Sequence, residues 1–175
     1  MPLTRRLLVI VAILLVCVGC DQATKAVAKA HIPADAPWTY LGDTIRLQLA
    51  HNTGAFLSLG ASLPDKWRQG LLSAGVACIL LALLAYALVA KSMRPGTLVG
   101  LALVIAGGCS NLIDRLVYGG YVVDFLNLGI GPLRTGIFNV ADIAITTGVV
   151  LLVFSKSDQG PATPADPGTE PQVRK

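Results

Sequence analysis

The strongest constraint on this chain is a set of long apolar runs almost free of acid. Between Lys66 and Lys156, a stretch of 91 residues, only three carboxylates occur: Asp114, Asp124 and Asp142. Of the 175 residues, 54% are hydrophobic and 14% charged, where soluble domains carry about a quarter charged residues. This excludes an ordinary water-soluble domain and makes the chain a membrane protein. An ionisable group within or beside a span is costly and marks function by default, so each of the three acids needs an explanation.

A spanning helix needs about 20 mostly apolar residues, and four segments approach that length. The first follows Arg5-Arg6, is apolar from Leu7 to Cys20 and continues in helix-compatible residues to Ala28. Within it Asp21 and Lys25 stand four apart, in the order that pairs acid with base on one helical face. The second runs from Gly70 to Ala90 and stops at Lys91, Arg94 and Pro95-Gly96; the third runs from Thr97 towards Ile113, and the fourth from Phe138 to Phe154. A secretory signal peptide is the rival reading of the first segment. Val18-Gly19-Cys20 resembles a lipobox, which would make the chain a lipoprotein anchored at Cys20, but Cys17 stands where leucine is expected and three further spans follow.

Basic residues at the ends of apolar segments orient a chain in the bilayer, so the net charge of +4 is read as topology and not as nucleic-acid binding. Alternating spans put Arg5-Arg6, Lys91/Arg94 and Lys156 on one side, the cytoplasmic one by the positive-inside rule. Lys29, Arg46, Lys66, Arg68, Arg115 and Arg134 fall on the other side, so charge alone favours this orientation only slightly. The four cysteines, at 17, 20, 78 and 109, lie in apolar stretches without zinc-type spacing and read as small core residues. The segment from Ser157 to Lys175 has no apolar periodicity and is expected to be a disordered, dispensable tail. The domain is therefore residues 1–156.

The outer loops carry strand patterns. Thr44 to Leu49 alternates apolar and polar residues after a Leu41-Gly42-Asp43 turn, and Tyr121 to Leu128 is a β-branched and aromatic run between glycines. A small sheet over four helices follows: an all-α membrane protein with a small outer β-sheet and both termini cytoplasmic. Trp67, among Pro64-Asp65-Lys66-Trp67-Arg68, belongs at interface depth.

Chemistry gathers at the outer ends of the spans. Asn111 to Arg115 closes the third, Asp124 follows the Tyr118-Gly119-Gly120 turn, and Asn139 and Asp142 open the fourth on one face, where free N–H groups and the positive dipole end lie. Two carboxylates meeting in a partly dry site share one proton. One then acts as base on water while the other donates a proton, which is the equipment for metal-free peptide hydrolysis. Carboxylates beside spans also serve proton relays and structural ion pairs, so a small proton-coupled transporter using Asp114 and Asp142 and a non-catalytic assembly factor stay open at this point. His31 and His51 read as interfacial polar residues, and neither H-E-x-x-H nor G-x-S-x-G occurs. A serine–lysine pair of Ser58 or Ser110 with Lys25 is possible on paper.

Five motifs taken in order narrow this: Asp21-Gln22-Ala23-Thr24-Lys25, His51-Asn52-Thr53-Gly54-Ala55-Phe56, Gly108-Cys109-Ser110-Asn111-Leu112-Ile113-Asp114-Arg115, Val122-Val123-Asp124-Phe125 and Phe138-Asn139-Val140-Ala141-Asp142. Over about residues 5 to 155 the series resembles the bacterial lipoprotein signal peptidases (signal peptidase II). The resemblance implies an inner-membrane aspartyl endopeptidase that cuts prolipoproteins before a diacylglyceryl-modified cysteine, with cytoplasmic termini. It implies Asp124 and Asp142 as the catalytic pair, Asn52, Gly54, Asn111, Arg115 and Asn139 along the substrate site, and Asp21 and Lys25 as support. Its partners are lipidated precursors and membrane lipid; no metal or other cofactor is expected, and the chain is expected to act as a monomer. Asp114, followed directly by Arg115, reads as that residue's structural ion-pair partner, and Asn52 as turn residue or substrate contact alike.

Overall fold

The computed structural model describes residues 1–33, 35–53 and 64–157. Gly54, Ser58, most of the loop from Leu49 to Pro64 and the tail from residue 158 lie outside the described residues. The element order is α1 (Leu3–His31), β1 (Trp38–Tyr40), β2 (Ile45–Asn52), α2 (Asp65–Val89), α3 (Pro95–Val117), β3 (Val122–Ile130), β4 (Leu133–Arg134) and α4 (Val140–Ser157).

Among the described residues, three helices are long and apolar enough to cross a membrane: Leu3–His31, Gln69–Val89 and Pro95–Val117. The fourth predicted span is shorter. Its apolar helix covers Val140–Ser155, about 24 Å at 1.5 Å per residue, against a hydrocarbon core of about 30 Å. It starts late because Phe138 is still in extended pairing with Leu126 and Asn139 then caps the helix. Large apolar side chains such as Leu8, Leu15, Ile79, Leu81 and Val153 point outward from the bundle, as they do when lipid is the solvent.

Helix α3 is the axis of the bundle. Leu98, Leu101, Ala102, Ile105 and Ala106 are buried on it, and α1, α2 and α4 all pack around it. Its approach to α4 depends on glycine: a side chain at Gly107 would strike the backbone carbonyl of Ala141, and one at Gly148 that of Gly100. Small residues at helix crossings let backbones meet where no hydrophobic effect drives association. At the α1 N-terminal end, Arg6 is buried and donates to the carbonyls of Ala87 and Ala90 at 3.3 and 2.6 Å. It satisfies orphan carbonyls at the C-terminus of α2, a role that its reading as a topology signal did not include. Arg94 does the same for α4, donating to Ser155 O at 3.1 Å.

The opposite end carries the antiparallel sheet, in the order β1-β2-β3-β4. The predicted turn is present: Leu41, Gly42 and Asp43 all have positive φ. Between Leu47 and Ala50 the register with β3 shifts, as at a bulge, where one strand carries an extra residue and its later side chains are re-aimed. Beyond it Ala50 faces Asp124 and Asn52 faces Val122. The cysteines correct their expected place: Cys20 and Cys78 are exposed and Cys17 and Cys109 half-buried, all four as free thiols.

Candidate active site

The site lies where the outer parts of α1 and α3 meet the start of β3 and the N-terminus of α4. On α1, Asp21, Gln22 and Lys25 share a face because helical residues three and four apart are neighbours. Ser110, Asn111 and Asp114 do the same on α3. Two layers result.

The inner layer is an ion cluster around Lys25. This side chain is 2% exposed and its ammonium reaches Asp21 at 2.7 Å, Asp114 at 2.8 Å and Asn111 Oδ1 at 3.0 Å. Those contacts use all three of its N–H donors. Asp21 also accepts from Ser110 Oγ at 2.7 Å and from the backbone N–H of Ala141 at 2.9 Å, satisfying a free amide in the first turn of α4. Asp114 accepts from Gln22 Nε2 at 2.8 Å and from the backbone N–H of Val123 at 3.0 Å. One carboxylate thus holds α4 and the other holds β3, with the ammonium between them.

Here the expected Asp114–Arg115 ion pair is corrected. Asp114 pairs with Lys25, while Arg115 donates to its own helix at Asn111 O, 3.4 Å away. Sequence neighbours on a helix project about 100° apart and do not face each other. Of the serine–lysine alternative, Ser58 lies outside the described residues, and the Ser110 half fails on geometry. Ser110 and Lys25 do come together, but on the shared oxygen Asp21 Oδ2, and an ammonium holding two carboxylates is no base for a hydroxyl. Gln22 is a member of the cluster to which the sequence assigns no role, and Ser110 belongs to it as a hydrogen-bond donor to Asp21 and not as the nucleophile considered above. Their signal was two polar residues directly beside Asp21 and Asn111 in otherwise apolar helices.

The outer layer holds Asp124 and Asp142, and their hydrogen-bond partners here are neutral amides. Asp124 Oδ1 accepts from Asn139 Nδ2 at 2.6 Å, and Oδ2 accepts from Asn52 Nδ2 at 3.0 Å. Asp142 Oδ1 accepts from Asn111 Nδ2 at 2.9 Å, and Oδ2 from the backbone N–H of Asn139 at 3.2 Å. Asn139 Oδ1 in turn accepts from the backbone N–H of Asp142 at 3.0 Å. This reciprocal pair is a capping box, with an asparagine cap and an acid at the third helical position. Asn139 therefore starts α4 and, through Nδ2, links its cap to Asp124. Asn111 connects the layers: its Oδ1 accepts from Lys25 and from Asn139 at 3.1 Å, which leaves its amide nitrogen aimed at Asp142.

Burial pushes the Asp124 carboxyl up to about 6. The negative charge of Asp142 adds to that rise, while the hydrogen bonds from Asn52 and Asn139 and the more distant charge of Lys25 oppose it. Two clefts lie near the site, one bordering it only at Arg115 and the other reaching an aspartate. A cleft of about 510 Å³ between α2 and α3 is lined by Gln69, Ser73, Ala74, Ala77 and Arg115. A second, of about 380 Å³, runs along α4 past Phe138, Ile143 and Thr146 and reaches Asp142 itself. Of the residues expected at the site, Asp21, Lys25, Asn52, Asn111, Asp114, Asp124, Asn139 and Asp142 are joined in one hydrogen-bonded network, with Arg115 at its rim.

The fold and sequence are shared with known proteins. A family model described as signal peptidase (SPase) II matches residues 13–156. The chain is 36% identical over 155 residues to the lipoprotein signal peptidase of Rhodococcus jostii, covering 85% of this chain and 72% of that protein. It is 31% identical over 155 residues to that of Mycobacterium tuberculosis, covering 86% and 71%, and 36% identical over 136 residues to that of Paraburkholderia phymatum, covering 78% and 80%. A solved bacterial membrane enzyme, determined by the in meso method at 1.9 Å resolution, superposes with a TM-score of 0.73 at 25% identity, over 86% of this chain and 94% of that one. With its apolar helices, central α3 and outer sheet, this multi-pass membrane protein belongs to the signal peptidase II family.

Proposed function

We propose that the chain is an aspartyl endopeptidase that removes the signal peptide of prolipoproteins at a diacylglyceryl-modified cysteine. The single observation that carries this is the pair Asp124 and Asp142, both bonded to Asn139 and hydrogen-bonded to amides. Two carboxylates so placed hold one proton between them. Asp124, lifted to about 6 chiefly by burial, is assigned the role of acid. Asp142 takes a proton from water as the water attacks the scissile carbonyl, and Asp124 protonates the carbonyl oxygen. Collapse of the tetrahedral intermediate then returns a proton to the leaving amine of the cysteine.

The relatives named lipoprotein signal peptidase supply the substrate class. Asn52, Gly54, Asn111, Arg115 and Asn139 are assigned to the substrate site, Asp21, Lys25 and Asp114 to its support. Both aspartates come from one chain, so a monomer is complete, and the working unit is residues 1–156. The orientation that fits is an inner-membrane one, with cytoplasmic termini and the site near the outer face. The test is incubation of the purified, reconstituted protein with a diacylglyceryl-modified precursor and its unmodified twin. A cut directly before the cysteine in the lipidated precursor alone is the expected result; cleavage of both alike, or of neither, overturns the reading.

A further inference from the structure

The far end of the sheet presents large apolar side chains that nothing among the described residues covers. The β1–β2 turn ends in Leu41, 77% exposed, and the β3–β4 hairpin ends in Ile130 and Leu133, 79% and 81% exposed. Both tips lie at the same end, because Ile45 pairs with Leu128 and the Gly129 N–H donates to Thr44 O at 2.9 Å. Arg134 fixes one tip to the other, donating to Asp43 O at 2.7 Å, and Arg46 binds the same Asp43 carboxylate. That carboxyl is held below its usual range, first by the Arg46 hydrogen bond, and the collar carries one acid and two guanidiniums. Leu41 adds a second oddity: its φ is 53°, a left-handed backbone that glycine, asparagine or aspartate adopts with less strain. A bulky apolar residue held there and turned outward gains nothing from the folded chain itself.

The direction of the sheet says what it meets. Leu47, Phe125 and Trp38 line an apolar cavity of about 300 Å³ together with Ala23, Val27 and Ala28 of α1 and Ile32, which follows its last residue. The middle of the sheet therefore crosses the outer turns of α1, level with Lys25, and does not stand above the bundle. From Phe125 to Ile130 is five residues, about 17 Å at 3.3 Å each, so the tips reach well beyond the apolar cavity that the sheet forms with α1, a cavity whose lining includes the exposed Val27.

We infer that the two hairpin tips insert into the outer edge of the surrounding bilayer, with Leu41, Ile130 and Leu133 in the acyl region and the Asp43/Arg46/Arg134 collar among the headgroups. An apolar tip behind a cationic collar is the composition of an interfacial anchor. The surface is continuous with the lipid-facing side of α1, which is why lipid and not a second protein is the occupant. The sheet that carries Asp124 is then held at both ends, by Asp114 at its start and by lipid at its tips.

The experiment places a reporter at the tip. In the full-length protein with Trp38→Phe and Trp67→Phe, Ile130→Trp gives a single tryptophan, and the protein is reconstituted in phosphatidylglycerol–phosphatidylcholine vesicles with or without bromines on the acyl chains. Brominated lipid should quench the emission at least twofold, and acrylamide should quench it several-fold less than free tryptophan. Leu133→Trp in the same background repeats the measurement at the neighbouring position. Full acrylamide access with no effect of bromine puts the tips in water and overturns the inference. Shielding from both quenchers that grows with the protein-to-lipid ratio overturns it too, in favour of a second copy of the chain. None of these readouts depends on peptidase activity.

Discussion

Four buried or half-buried aspartates within one network differ in a single respect. Asp21 and Asp114 share an ammonium, whereas Asp124 and Asp142 are bonded to amides. The first arrangement ties two carboxylates to one ammonium and turns them into structural pegs, one for α4 and one for β3. The second surrounds each carboxyl with amide N–H groups, which hold it in place without supplying a formal countercharge. Chemistry needs the second kind, and the first kind positions it.

The comparison can be broken first at the outer pair. Asp124→Asn and Asp142→Asn should each lower cleavage of a lipidated precursor by about 10²- to 10⁴-fold, the range of acid–base catalysis, while circular dichroism in detergent shows a folded protein. Normal turnover by either variant would remove that residue from the chemistry. Next, Lys25→Met strands two buried carboxylates, a loss of about 3–5 kcal/mol, and should show as a large drop in melting temperature, with activity falling only because the protein unfolds. Retained stability would mean that the inner layer is no peg. Asn139→Ala comes third, since it touches both properties. It removes a helix cap worth about 1–2 kcal/mol and the link between Asp142 and Asp124, so kcat should fall more than the modest loss of stability explains.

The smallest effect is on pH. The Asp124 carboxyl is raised in the folded state to about 6, so its contribution to stability is fully present below the unfolded value of about 3.9 and is lost as pH rises through 6. Melting temperature should therefore decline between about pH 4 and 7, and Asp124→Asn should flatten that decline. An unchanged slope in the variant would assign the titration elsewhere.

Much of this could be read along the chain because its determinants are local. Apolar length gives the helices, alternation gives β2 and β3, and the four-residue spacing of Asp21 and Lys25 gives their ion pair. What escaped depends on neighbours distant in sequence. β1 and β4 are three and two residues long, too short for any periodicity, and exist through pairing with β2 and β3. Arg6 reads as a topology signal until α2 brings its carbonyls to it. Asp114 looked like the partner of Arg115 because they are adjacent, yet adjacency on a helix separates side chains, and its cation came from a residue 89 positions earlier. Asp124 and Asp142 were told apart from Asp114 by resemblance to a family, since spacing alone could not show which acid had a cation and which had amides.

The shortness of α4 carries a consequence of its own. Ser155 is level with Arg94 and Gly96 at the other end of the bundle, while the Asn139 cap stops well short of the outer end of α3, because Gly107 already meets Ala141 and α3 continues to Val117. Ten residues of α3 remain beyond that contact, about 15 Å at 1.5 Å per residue, so α4 begins well short of the sheet end of α3. On the proposed reading α4 then works as a ruler. A substrate helix lying beside it runs about 24 Å from the α4 C-terminal end to the bond to be cut. Precursors whose apolar segment is lengthened by two turns should be cut more slowly than those that match, with the cysteine and its lipid unchanged.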